Sequence, residues 1–320
     1  MITLHLGPED VANLRFAISP LMELHTSVRA LEHPEAKALH LPWVAETRER
    51  VTDIDIALLQ ALQPRKAYTP DFVSPPPHSP LGELDQELEE MLATPPERVR
   101  KEVRRAYEGR AIPAVLEPLL ADPRRALPAL ADLFRAYWER ALAPHWPRIH
   151  ALLEGDVLYR ARQLADGGAQ RLFADIHPEV SFAEDTLRIA MPHEFTADLA
   201  GRGMVFVPSA FTWPRPAASV EPPWLPVLIY PARGIGGLWE PGRTAPPAAL
   251  AALLGARRAT VLTALSAPRS TTELARALDL SPGSVSQHLS VLRDAGLVRG
   301  HRVGRAVLYL RSEKGENLVA

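Results

Sequence analysis

Side chains able to bond the edges of nucleic-acid bases gather in one short stretch near the C-terminus. In SPGSVSQHLSVLRDAGL, Val285, Leu289 and Leu292 recur at helical spacing and make one apolar face. Gly283, Ser284, Gln287 and Ser290 then fall on the opposite face, with Ser286 at its margin. A small polar face of this kind fits a DNA major groove, where glutamine can bond adenine N6 and N7 together and serine can bond several base edges or a phosphate. A second group, Arg299, His301, Arg302 and Arg305, surrounds Val303-Gly304. Positive charge there would hold the backbone or enter the minor groove. The expected partner is therefore a double-stranded DNA operator, and the candidate contacts are Ser284, Ser286, Gln287, Ser290, Arg302 and Arg305.

The remaining reactive residue types do not converge. The chain has no cysteine, which removes disulfides and thiolate chemistry. Its 11 histidines are scattered, His145 and His150 are five apart, no H-E-x-x-H occurs, and His288 reads as a packed histidine rather than a ligand. Ser209 in VPSAF lacks the G-x-S-x-G elbow, and Gly234-Ile235-Gly236-Gly237 lacks the Walker lysine and cannot be written as G-x-G-x-x-G. No enzyme activity, cofactor or metal site is expected. Phe211, Trp213, Trp224 and Trp239 stand beside predicted strands, either lining an apolar pocket for a small-molecule effector or filling the core.

The elements that must position the polar face are themselves readable. Ser270 followed by Glu273 is a capping box that starts a helix, and Leu274, Ala275 and Leu278 give it an apolar face. Ser281-Pro282 is a cap residue with proline at the first helical position, so a second helix begins at once, and Gly296 closes it as the C′ residue. Leu297 to Arg302 and Arg305 to Leu310 are strand-like runs joined at Val303-Gly304, a basic hairpin. With RRATVLTAL read as a short helix before them, the order is two short helices, a tight turn, a third helix and a hairpin, a winged helix-turn-helix predicted over residues 246–320.

ALLGARRATVLTAL and TTELARALDLSPGSVSQHLSVLRDAGLVRGHRVGRAVLYL resemble the winged-helix domain of ArsR/SmtB-type repressors. The resemblance lies in the LLG turn, the S-x-x-S-V-S-x-H-L-x-V-L-R-x-A-G-L-V core and the G-R wing, and covers about a fifth of the chain. GRGMVFVPS and PPWLPVLIYPARG are similar to segments of a poorly characterised N-terminal domain that precedes such winged helices in some regulators. The resemblance implies a dimer on a pseudo-palindromic operator, acting as a repressor. Metal-sensing members carry cysteines where this chain has Arg269-Ser270-Thr271-Thr272-Glu273, and others place Asp and His on a helix after the wing, where Ser312 to Asn317 has no histidine. Metal sensing is therefore not implied. Family dimers pair through the terminal and first helices of the domain, so the short tail shifts much of the expected homodimer contact to the N-terminal domain. Arg or Lys often stands where this chain has Gln287, which implies a different operator preference.

Charge divides along the same line. Residues 249–320 carry ten basic and five acidic side chains, net +5, whereas the rest carries 26 and 33, net −7. A basic reader behind an acidic domain keeps a local surface for counterion release while limiting nonspecific association. No apolar run approaches the length of a membrane span and the start lacks a signal peptide, so a cytoplasmic protein without membrane contact is expected.

Residues 1–245 read as a mostly helical sensor and dimerisation domain with a small antiparallel sheet, giving an α+β chain. Met1 to Leu6 is a predicted strand, and Ser19-Pro20 opens a helix. Further helices are predicted from Leu81, over PPERVRKEVRRAY, over 129–142 and over 147–165; Glu83, Asp85, Glu87, Glu89 and Glu90 are expected on a solvated face. Alternation at Leu187, Ile189 and Met191, with the runs 204–207 and 227–230, predicts the sheet. Two other function classes remain open at this stage, an enzyme with an appended regulatory winged helix and a protein-docking module.

Overall fold

The computed structural model describes residues 1–319 except 35–37, 65–67, 192–193, 240–247, 266–268 and 304–305. The chain is α+β and divides into two compact units, Met1–Ile235 and Gly236–Ala320. The boundary expected at 245–246 falls outside the described residues.

In the first unit the order is β1 (Ile2–His5), α1 (Pro8–Ala12), β2 (Leu14–Phe16), α2 (Pro20–Glu32), α3 (Leu41–Arg50), α4 (Ala57–Ala61), α5 (Leu84–Leu92) and α6 (Pro96–Ala106). It continues through α7 (Glu117–Ala121), α8 (Pro123–Ala141), α9 (Trp146–Ala174), β3 (Val180–Ala183), β4 (Thr186–Ile189), β5 (Phe195–Asp198), β6 (Met204–Ser209), β7 (Ala217–Ser219) and β8 (Val227–Pro231). The single antiparallel sheet expected from alternation is two mixed four-stranded sheets, ordered β3-β4-β1-β5 and β2-β6-β8-β7. β1 runs parallel to β5, and β2, β6 and β8 are mutually parallel. The first sixteen residues thus give one strand to each sheet, and Ile2 and Leu4 share a core with Phe173, Phe206, Leu228 and Tyr230. β6 is buried along its whole length, which is why it reads as a continuous apolar run rather than an alternating one. The turn entering it needs Gly203, whose φ is +68° and whose missing Cβ would strike the Asn13 carbonyl.

The helices follow their caps. Ser19 Oγ accepts the Met22 N–H at 3.0 Å and starts α2, burying Leu21, Leu24, His25, Val28 and Leu31. The helix expected from Leu81 begins at Leu84, and Leu81 is instead bridged to Ile18 with its side chain 56% exposed. The helix expected over 147–165 breaks close to its expected end, at non-helical Gly167 and Gly168, and a second helical segment of α9 follows to Ala174.

The acidic face of α5 is not uniformly solvated. Glu87 is buried, and its Oε2 accepts the Ser19 hydroxyl at 3.0 Å and the Leu21 N–H at 2.8 Å, so it stands at the positive end of α2. Burial nevertheless pushes its carboxyl up to about 7, against the lowering effect of those two donors. A raised folded pKa stabilises fully below the ordinary glutamate value of 4.5 and loses that contribution as pH rises through 7. A Glu87→Gln chain should therefore gain on the wild type between pH 5 and pH 9, by about 3 kcal/mol from the conversion of about 1.4 kcal/mol per pKa unit. Urea denaturation of both chains at the two pH values checks this, and a constant difference would show that Glu87 does not titrate with folding.

The second unit contains α10 (Ala248–Leu254), α11 (Ala256–Thr263), β9 (Arg269–Ser270), α12 (Thr271–Leu278), α13 (Pro282–Asp294), β10 (Val298–Val303), β11 (Ala306–Arg311) and α14 (Glu313–Val319). Its sheet is ordered β10-β11-β9. Leu262, Leu274, Val285, Leu289, Leu292 and Val298 form its core. Helices α11, α12 and α13 and the hairpin sheet around one small core make this unit a winged helix.

Candidate nucleic-acid interface

The geometry of α12 and α13 is fixed by capping. Ser270 Oγ accepts the Glu273 N–H at 3.3 Å while Glu273 Oε2 accepts the Ser270 N–H at 2.7 Å, the reciprocal pair expected from sequence. Those bonds hold the Glu273 carboxylate below the ordinary glutamate range. Ser270 also pairs with Leu308 in the sheet, so one residue both starts α12 and ties it to the wing. The helices are joined at Asp279, which takes the left-handed conformation at φ +53° that a short polar side chain tolerates. Ser281 then caps α13 through the Ser284 N–H at 3.2 Å. Gly296, at φ +72°, ends α13 with the Gly296 N–H on the Arg293 carbonyl and the Leu297 N–H on the Leu292 carbonyl, both 2.8 Å.

Val285, Leu289 and Leu292 are buried, as their spacing predicts. Gly283, Ser286 and Gln287 are exposed, and Ser290 is half-buried, its hydroxyl 3.5 Å from Arg293 Nη2. Ser284 differs from the rest. It is half-buried beside the cap, and its hydroxyl lies 3.4 Å from His288 Nε2. Burial, and after it the cations of Arg257 and Arg258, hold His288 below its ordinary range, so this histidine is neutral at pH 7. Arg302 lies in β10 opposite Val307 in the register of the hairpin, whereas Arg305 falls outside the described residues.

Three exposed residues near this face were not among the candidates. Val291 is 42% exposed on α13, and its phase is displaced from that of the three buried positions. That phase alone marks Val291 as solvent-facing, although its side chain is apolar. Arg257 and Arg258 open α11, are exposed, and act on His288. Of the aromatic residues beside the strands, Phe211 and Trp224 are engaged within the first unit. Phe211 is buried, with ring centroids 4.7 Å from His40 and 4.8 Å from Trp43, and Trp224 Nε1 donates to Glu102 at 2.9 Å. Among the described residues no three His, Asp or Glu side chains are placed to hold a metal ion, and no helix is long and apolar enough to cross a membrane.

Two capped helices packed at a left-handed turn, with an exposed polar face on the second and a hairpin beside it, define a helix-turn-helix protein. Residues 257–301 match the model of a helix-turn-helix domain, a module of DNA-binding transcription regulators. Residues 86–236, from within α5 to one residue past the first unit, match the model of a family of unknown function (DUF5937). No curated protein and no solved structure matches the chain.

Proposed function

We propose that the protein is a dimeric transcription regulator of the ArsR-like class, most simply a repressor, that binds a pseudo-palindromic operator through α13 and the β10–β11 wing. The observation that carries this reading is the solvent face of α13, where Gly283, Ser286 and Gln287 are exposed over a core of Val285, Leu289 and Leu292. A helix so presented can enter the major groove by its first turns. Gln287 reads an adenine edge, Val291 meets a thymine methyl, and Ser284, Ser286 and Ser290 bond bases or phosphates at the margin. Arg302 and Arg305 supply the charge of the wing. Leu253 on α10 and Leu318 on α14, 69% and 38% exposed, favour self-association of this unit. The first unit contributes further dimer contact and the site of a small-molecule effector, which can act only through different affinity for two arrangements of the dimer. The chain acts in the cytoplasm without catalysing a reaction.

Selection of binding sequences from a random duplex pool tests the reading, and an enriched inverted repeat is the expected product. Recovery of no common sequence would refute it. On the selected operator, Gln287→Ala should lose about 1–3 kcal/mol of discrimination at one base pair, whereas Arg302→Ala should weaken all sequences alike and lower the salt slope by about one. Competition titrations with single-base variants separate the two effects, and the reverse pattern would exchange the two roles.

A further inference from the structure

A cleft of about 540 Å³ opens in the second unit where the end of α13, the start of β10 and the start of α14 meet, and its walls carry Arg293, Arg299 and Lys314. All three cations are exposed, and no carboxylate of the described side chains lines the cleft. The floor is made by Gly296 and Gly300, so the backbone is reachable there. It is also rigid: Ser312 Oγ donates to the Gly296 carbonyl at 2.7 Å and accepts the Gly315 N–H at 3.1 Å, and the Ser312 N–H bonds the Leu297 carbonyl at 2.9 Å. Gly315 permits this close approach, because a Cβ there would strike the Leu297 carbonyl. Of the described acids nearby, Asp294 lies 3.6 Å from Arg293, and Glu316 is drawn to Arg311 at 3.3 Å.

We propose that this cleft is a phosphate seat, in which Arg293, Arg299 and Lys314 hold the oxygens of a phosphodiester of bound DNA or of a free phosphorylated molecule. Two guanidinium forks match phosphate geometry in pairs of parallel bonds, and a lysine adds a point charge. The volume decides the size class: at about 30 Å³ per water molecule the cleft has room for far more than a bare ion, as a sugar-flanked phosphate requires. The DNA source rests on the function proposed above, and the free source does not.

The test uses the full chain and the double variant Arg299→Gln/Lys314→Gln, whose exposed side chains leave the core and caps intact. DNA affinity is measured over a range of salt, and thermal melting is followed with and without inorganic pyrophosphate. If DNA fills the seat, the variant's plot of log K against log salt becomes shallower by about two, with equal loss on operator and scrambled duplex. If the ligand is a free phosphorylated molecule, that slope is unchanged and millimolar pyrophosphate raises the melting temperature of the wild type but not of the variant. Asp294→Asn should move the responding quantity in the opposite sense. Identical slopes and identical pyrophosphate responses in wild type and variant overturn the proposal. A wild type that binds no duplex refutes the regulator reading alone, since the pyrophosphate arm still decides the seat.

Discussion

An Arg160→Met chain should lose about 3–5 kcal/mol of stability in its first unit, the cost of leaving a buried carboxylate without its cation. Arg160 is 2% exposed, with Nε 3.7 Å from Asp156 Oδ2 and Nη1 3.3 Å from Asp175 Oδ2, and it donates to the Asp175 carbonyl at 2.5 Å. Asp156 is equally enclosed. Its two oxygens accept the Tyr230 hydroxyl at 2.8 Å and the Arg233 N–H at 3.1 Å, which fastens the end of β8 to α9. Burial, with Asp156 beside it, raises the Tyr230 phenol well above its ordinary range and keeps it a donor. Methionine preserves the stem of the arginine but leaves Asp156 to these neutral donors. Five of the six tryptophans lie between Met1 and Ile235, so tryptophan fluorescence in urea reports this unit. An unchanged midpoint would mean that the network adds nothing to folding, and partial recovery in Arg160→Met/Asp156→Leu would assign the loss to the orphaned charge.

Leu289→Ala should cost the second unit about 2–5 kcal/mol and abolish DNA binding without removing a single proposed contact. Leu289 is fully buried in the core that α13 shares with Leu262 of α11 and Leu274 of α12. A core this small contributes only about 3–5 kcal/mol in total, so one cavity can consume its margin. The expected result is loss of the protected amides of α12 and α13 in hydrogen exchange, with the tryptophan-reported transition of the first unit unchanged. Gln287→Ala should leave those amides protected, because Gln287 is exposed. A Leu289→Ala chain that stays protected and still binds DNA would place the binding surface elsewhere.

The second unit was readable because its information is local. Ser270 with Glu273, Ser281 with Pro282, and Gly296 each act on neighbours within a turn, and each keeps its expected role in the structure. The phase of Val285, Leu289 and Leu292 fixed the exposed face by the same short-range logic, though it could not show that Ser284 is turned toward His288. In the first unit the decisive contacts join distant residues. Thr3 pairs with both Arg188 and Thr196, and nothing near Thr3 encodes that register. Glu87 sits among acidic neighbours on α5, and only the tertiary placement of Ser19 and Leu21 distinguishes it from a solvated glutamate. Arg160 is hidden for the same reason, since a long basic residue in a helix is ordinarily exposed.

The central claim is sequence-specific DNA binding by the second unit, and a fluorescence-anisotropy titration of the full chain against its own upstream DNA tests it most directly. Two salt concentrations and a scrambled duplex of equal length are required. The expected result is tighter binding to the upstream duplex than to the scrambled one, weakening of both with salt, and preservation of the preference. Equal binding of the two duplexes, or none at low salt, would contradict it.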